Sequence, residues 1–165
     1  MNPKTVVSTL NEYFSEMIDI VFKHNGTLDK IIGDELMVIY GAPLSSDDDT
    51  YRAVKTAIEM QLCIKEMNKK RRKNKEAEIL VGAGINKGNV VSGNIGSREM
   101  MDYTVIGDTV NLGSRLCSAA NPGEILVSKS VYEGLKNDFP FKKLDPIRVK
   151  GKAKKVNVFR IKSSY

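Results

Sequence analysis

Hydrophobic positions recur along the chain with two different periods, and the switches between them mark the elements. Val6, Val7, Leu10, Phe14, Met17, Ile18 and Val21 return at the spacing of one helical face. Asn2 before Pro3 supplies an N-cap followed by proline at the first helical position, where a missing N–H costs nothing, and Asn25-Gly26 stops the helix. Between Thr27 and Tyr40 the pattern becomes two short apolar runs, Leu28-Ile31-Ile32 and Leu36 to Tyr40, separated by Gly33-Asp34, which predicts a β-hairpin. Gly41-Ala42-Pro43 breaks the second strand, Ser46 and Asp47 to Asp49 supply N-cap chemistry, and Ala53, Ala57, Met60, Ile64 and Met67 form the stripe of a second long helix.

The second half reads as strands over 79–86 and 89–95 around Lys87-Gly88, and another over 103–106 before Gly107-Asp108. A helix over about 109–120 stops at Asn121-Pro122-Gly123. A strand at 125–127, a short helix at 131–135 and strands near 141–144 and 156–161 complete the order, which is mixed α+β. With no solenoid repeat and no low-complexity linker, residues 1–165 are expected to form one domain.

Composition narrows the class. A chain of 165 residues, 41% hydrophobic and 28% charged, has the makings of a compact core that buries roughly two thirds of the unfolded surface. No apolar run of about 18 residues is present, and the opening Met1-Asn2-Pro3-Lys4 lacks a signal-peptide pattern, so a cytoplasmic domain is expected. Cys63 and Cys117 show no CxxC spacing, and His24 is the single histidine, which leaves a zinc set short of ligands. The net charge of +6 gathers in Lys65 to Lys75 at a helix end and in Lys142 to Lys155. The first cluster suits the negative end of a helix dipole, and no aromatic residues interleave with it, so nucleic acid is not the expected partner.

Two segments carry candidate chemistry. Asp34 in the Gly33-Asp34 turn is ordinary turn chemistry when seen alone, but a carboxylate on a hairpin tip points away from the ladder and suits a hard divalent cation shared with phosphate. Lys30, earlier on the same strand, shares a side with Ile32 by the alternation of strand side chains. In the run from Asp102 to Leu116, Asn111 and Arg115 stand four residues apart on one helical face. An isolated pair of this kind is commonly a solvated face; its functional reading is a clamp for an oxyanion or phosphate, because arginine offers bidentate donors and a charge that does not titrate. Gly82, Gly84, Gly88, Gly93 and Gly96 match no phosphate-loop spacing and are assigned to turns and close strand packing.

Taken together, LNEYFSEMIDIVFKHNGTLDKIIGDELMVIYGAP, VGAGINKGNVVSGNIGS, DYTVIGDTVNLGSRLCSAANPGEILVS and the late VKGK resemble the catalytic domain of class III nucleotidyl cyclases, the adenylyl and guanylyl cyclases, over nearly the whole chain. The resemblance implies a ferredoxin-like βαββαβ core with a mixed, mainly antiparallel sheet flanked by helices. It implies conversion of ATP to 3′,5′-cyclic AMP and pyrophosphate with two Mg²⁺ or Mn²⁺ ions, in sites shared between the subunits of a homodimer. Asp34 matches a metal aspartate, Lys30 and Thr104 the pair that reads the purine, Asn111 the ribose-orienting residue, Arg115 the transition-state arginine and Lys150 a triphosphate-holding lysine. Guanylyl cyclases resemble a Glu/Cys pair where this chain has Lys30 and Thr104, so adenine is favoured.

The family pattern places a strand bearing the first metal aspartate, in a context like F-x-D-I-x-G-F, before the helix that begins at Pro3. No such strand stands in this sequence, so the expectation is an N-terminally truncated domain with one metal ligand absent and little or no activity by itself. An upstream sensor or regulatory domain is a further expectation, and the sequence leaves membrane tethering of the whole protein open. The alternatives are a guanylyl cyclase, or a degenerate cyclase-homology domain that dimerises and regulates a partner.

Overall fold

Asn2 opens the first helix as its side chain predicts. In the computed structural model, which describes residues 2–96, 101–148 and 155–162, its Oδ1 accepts the Lys4 backbone N–H at 3.1 Å and α1 runs over Pro3–Lys23. Asn25, in the left-handed region at φ 54°, ends the helix, and the Gly26 N–H closes back on the Val21 carbonyl at 2.9 Å. A Cβ on Gly26 would fall 2.7 Å from the Tyr40 hydroxyl oxygen, so glycine is needed here for space.

The chain forms two compact units, Met1–Ile79 and Leu80–Tyr165. In the first, β1 (Thr27–Ile32) pairs antiparallel with β2 (Glu35–Ile39) across the two-residue turn Gly33-Asp34. Gly33 takes φ 66° while Asp34 does not enter positive φ, the type II′ arrangement that matches strand twist. Helix α2 (Asp49–Lys73) follows. Its cap differs from the simplest reading of the Asp run: the Asp48 side chain, at the N-cap position, makes no capping bond and accepts from Arg52 Nε at 3.0 Å, whereas Asp49 Oδ2 accepts the Ser46 N–H at 2.8 Å.

Helices α1 and α2 lie antiparallel, as their polar ties show. Arg71 reaches Glu12 and Thr9, Cys63 meets Glu16, and Glu59 meets Lys23 and His24. Tyr13, Met17, Ile20 and Val21 from α1 and Val54, Ala57, Ile58, Ile64 and Met67 from α2 are buried. The buried stripe of α1 therefore begins later than the apolar pattern suggests. Val6 and Val7 are exposed because Thr9 already lies opposite Arg71, in the last turn of α2.

Arg71 departs most from expectation. Its side chain, read as part of a solvated basic end, is 5% exposed, donating from Nε to the Ala77 carbonyl at 2.7 Å, from Nη1 to Glu12 at 3.0 Å and from Nη2 to Thr9 at 3.0 Å. Beside it, buried Asn68 both donates to the Ile79 carbonyl and accepts its N–H, each at 2.8 Å, fixing the chain that leaves α2. The remaining Lys69, Lys70, Arg72, Lys73 and Lys75 are exposed, as a solvated helix end requires.

The second unit holds a four-stranded sheet in the order β3-β6-β8-β7, from β3 (Ala83–Ile85), β6 (Ile125–Ser128), β7 (Phe141–Lys143) and β8 (Val158–Ile161). The β3–β6 pair is parallel and the others antiparallel. A separate antiparallel ladder joins β4 (Val91–Gly96) to β5 (Met101–Ile106), then α3 (Asp108–Ala119) leads back to β6. The strands on either side of Lys87-Gly88 thus do not pair with each other. Between β6 and β7, α4 (Lys129–Leu135) places Tyr132 in a parallel stack on Phe159, centroids 3.9 Å apart, with Phe141 edge-on at 5.4 Å. This is the mixed α+β architecture with a mainly antiparallel sheet. Both cysteines are free and half-buried, Cys63 in the first unit and Cys117 in the second. Among the described residues no helix is long and apolar enough to cross a membrane.

Acid should loosen both units. A hydrogen bond from Lys23, and then one from His24, hold the Glu59 carboxyl below the usual glutamate range, and Arg160 does the same for Glu124. Because these folded-state values lie below the unfolded ones, the stabilisation is present at neutral pH and is lost as pH falls below about 4.3. Urea midpoints measured between neutral and about pH 3 are expected to fall along that limb. The Glu59→Gln variant should start lower and fall less steeply.

Candidate active site

On the first unit's hairpin, Asp34 sits exposed at the tip and makes no hydrogen bond or ion pair with any described residue. Lys30 lies on β1 opposite Met37, with its Nζ 3.3 Å from Asp29 Oδ2. The Gly33-Asp34 turn explains why the carboxylate stands clear. A two-residue type II′ loop projects its second side chain from the end of the ladder. Alternation from Lys30 to Ile32 holds as read, since their pairing with Met37 and Glu35 is regular.

In the second unit, Thr104 lies midway along β5 opposite Gly93, buried at 7% exposure, with Val105 and Ile106 between it and Gly107, the N-cap of α3. Gly107, at φ 138°, makes the corner that leads into the helix. On α3, Leu112 and Leu116 are buried against Leu126 and Val158, while Asn111 and Arg115 occupy the exposed face. Arg115 has no ion pair with any described residue, so its guanidinium donors are available to a ligand. Lys150 lies outside the described residues.

Glycine is what sets α3 in place. A Cβ on Gly84 of β3 would fall 2.1 Å from the Cys117 N and 2.7 Å from the Gly113 carbonyl oxygen, so helix backbone rests directly on strand backbone. Gly82 is similarly close to Ala120, and Gly88 to Thr109, in keeping with the close-packing role assigned to these glycines; Gly93 has open space around it. Sequence reasoning passed over two further supports. Asn86 Nδ2 donates to the Thr109 carbonyl at 2.8 Å, and Thr109 Oγ1 donates to the Asn89 carbonyl at 2.7 Å. Together they tie the first turn of α3 to residues 86–89. No local signal marks them, since the Asn86 partner lies 23 residues away and Asn89 takes part through its backbone carbonyl.

Among the described residues, no three His, Cys, Asp or Glu side chains gather as a metal-binding group. Asp34 is therefore a single hard-oxygen donor, suited to a cation that takes most of its other ligands from phosphate and water. Thr104, Asn111 and Arg115 place hydroxyl, amide and guanidinium groups on one strand–turn–helix segment, with Thr104 buried and the other two exposed.

Comparison with known proteins supplies the family of this domain. The profile of the adenylate and guanylate cyclase catalytic domain matches residues 1–163, and the chain belongs to that family. It is similar in structure to the adenylyl cyclase CyaB from P. aeruginosa, with 35% identity and a TM-score of 0.93 over 100% of this chain and 86% of that one. It is also similar to the guanylyl cyclase Cya2, with 36% identity and a TM-score of 0.87 over 98% and 82% of the two chains. Among curated relatives, adenylate cyclase 1 of Rhizobium meliloti is 28% identical over 162 residues, which are 97% of this chain and 24% of that protein. The chain spans about a quarter of the length of the curated relatives it matches.

If α3 rests on β3 through Gly84, Gly84→Ala should cost about 3 kcal/mol or more, the upper end for an overpacked core, because backbone and not a flexible side chain must yield. Urea unfolding measures it. Gly93→Ala, with open space at its Cβ, serves as the tolerated control.

Proposed function

We propose that this chain is the catalytic domain of an adenylyl cyclase, converting ATP to 3′,5′-cyclic AMP and pyrophosphate in a homodimer. Family membership leaves the base open, since both an adenylyl and a guanylyl cyclase are close in structure. The observation that carries the choice of ATP is the pair Lys30 and Thr104. A lysine ammonium donates to adenine N1, and a threonine hydroxyl accepts from the N6 amino group. Guanine presents an N1–H donor and an O6 acceptor, which call for the opposite pattern.

In this reading the ribose 3′-oxygen attacks the α-phosphorus, the bond from that phosphorus to the bridging oxygen breaks, and pyrophosphate departs. Asn111 orients the ribose, while Arg115 donates to phosphate oxygens whose charge grows in the transition state. Lys150 holds the triphosphate. Asp34 would hold Mg²⁺ or Mn²⁺, which when bound neutralises phosphate charge and lowers the pKa of the 3′-hydroxyl. Asp34 of one subunit works with Asn111 and Arg115 of the other, so a homodimer carries two equivalent sites. This reading includes an upstream sensor or regulatory domain in the whole protein.

Cyclic-nucleotide formation from ATP and from GTP, with Mg²⁺ or Mn²⁺, tests the reading in this chain and in one that carries a second metal aspartate upstream. The 165 residues alone, with the single carboxylate Asp34, should turn over weakly or not at all. The longer polypeptide should prefer ATP. In it, Arg115→Ala should lower kcat by about 10²–10³. Lys30→Glu combined with Thr104→Cys should move preference toward GTP. A longer polypeptide that folds and dimerises yet converts neither nucleotide would make this a regulatory cyclase-homology domain instead.

A further inference from the structure

Asp29 and Lys30 are neighbours in a strand, and regular alternation sends neighbouring side chains to opposite faces. Here they meet, with Lys30 Nζ 3.3 Å from Asp29 Oδ2. The reason is a bulge: pairing passes from Leu28 opposite Val38 to Lys30 opposite Met37, leaving Asp29 as an extra residue. Bulges re-aim side chains and are common beside active sites.

The two partners are unequally exposed. The Asp29 side chain is 3% exposed and that of Lys30 39%. A carboxylate removed from water to this extent is costly unless it is paired and hydrogen-bonded. A lysine tip is otherwise a mobile point charge on a flexible four-carbon stem. The ion pair therefore sets a buried carboxylate beside an accessible ammonium, whose three N–H groups leave donors for a ligand.

We propose that Asp29 is a positioning residue for Lys30: its buried carboxylate, brought round by the bulge, restrains the ammonium so that it reads adenine and does not serve guanine. This rests on the reading of Lys30 as the base-contacting lysine. A tethered ammonium reaches the acceptor at adenine N1. An untethered one can swing toward guanine O6, and discrimination falls because the arrangement that penalised the wrong base is gone. The contribution lies in preorganisation, so removing the tether should weaken nucleotide binding and selectivity more than the chemical step.

The test uses the active, full-length protein and compares ATP with GTP. Asp29→Asn keeps the shape and removes the charge. It is expected to raise KM for ATP and lower the ATP:GTP ratio of kcat/KM by about tenfold, with kcat little changed. Asp29→Glu, which retains a carboxylate, should recover most of the ratio. In a Lys30→Met background, Asp29→Asn should change the ratio no further, which a merely structural role would not produce.

Equal losses for ATP and GTP on Asp29→Asn, or the same change with Lys30 already removed, would overturn the positioning role while leaving Lys30 as base reader. If Lys30→Met itself leaves the ratio unchanged, the base-reading assignment falls and the proposal with it. A measurement on the unsubstituted protein covers the case in which Asp29→Asn fails to fold. By NMR relaxation the Lys30 ε-methylene should be distinctly more ordered than those of exposed Lys65 and Lys73; equal mobility overturns the proposal.

Discussion

Contact between the backbones of α3 and β3, with no side chain between them, is the constraint on which the second unit depends. At Gly84 the strand has no room even for a methyl group against Gly113 and Cys117. That approach turns Leu112 and Leu116 into the core with Leu126 and Val158, and helical geometry then obliges Asn111 and Arg115 to face away. The bonds from Asn86 and Thr109 set where the helix begins along its axis. Two exposed polar residues with little packing of their own are thereby carried on a rigid element.

The first unit solves a different problem, how to place charge. Many of its basic residues are solvated at the end of α2, but Arg71 is drawn inside and spread over a carbonyl, a carboxylate and a hydroxyl. Asp29 is likewise drawn in and paired with Lys30. Both are charges that would be expensive to bury alone. Each is anchored where the chain departs from regularity, Arg71 at the turn after α2 and Asp29 in the strand bulge. The same hairpin leaves Asp34 in the open, so neighbouring carboxylates receive opposite environments within six residues of one another.

Much of this was legible in the chain. The Asn2 cap, the Asn25-Gly26 stop, the Gly33-Asp34 turn and the Gly107 corner are local signals, acting through backbone conformation over a few residues, and each marks an element boundary observed in the structure. The ordered strings that resemble class III cyclases pointed to the family that the profile over residues 1–163 shows, and to the mixed α+β fold. Asn111 and Arg115 sharing a helical face also follows from spacing alone.

Tertiary structure decided the partners. Apolar periodicity marks a strand but does not say which strand it pairs with, so the pairing of β3 with β6, and not with β4, had no local signature. Burial of Arg71 within a run of solvated basic residues depends on Thr9 and Glu12, brought near only when α1 and α2 lie antiparallel. The bulge that turns Asp29 toward Lys30 depends on register against β2. Local dihedral preferences and period are carried by each residue and its near neighbours; register, burial of charge and helix-to-strand contact arise between residues far apart in the chain, and only the folded protein contains them.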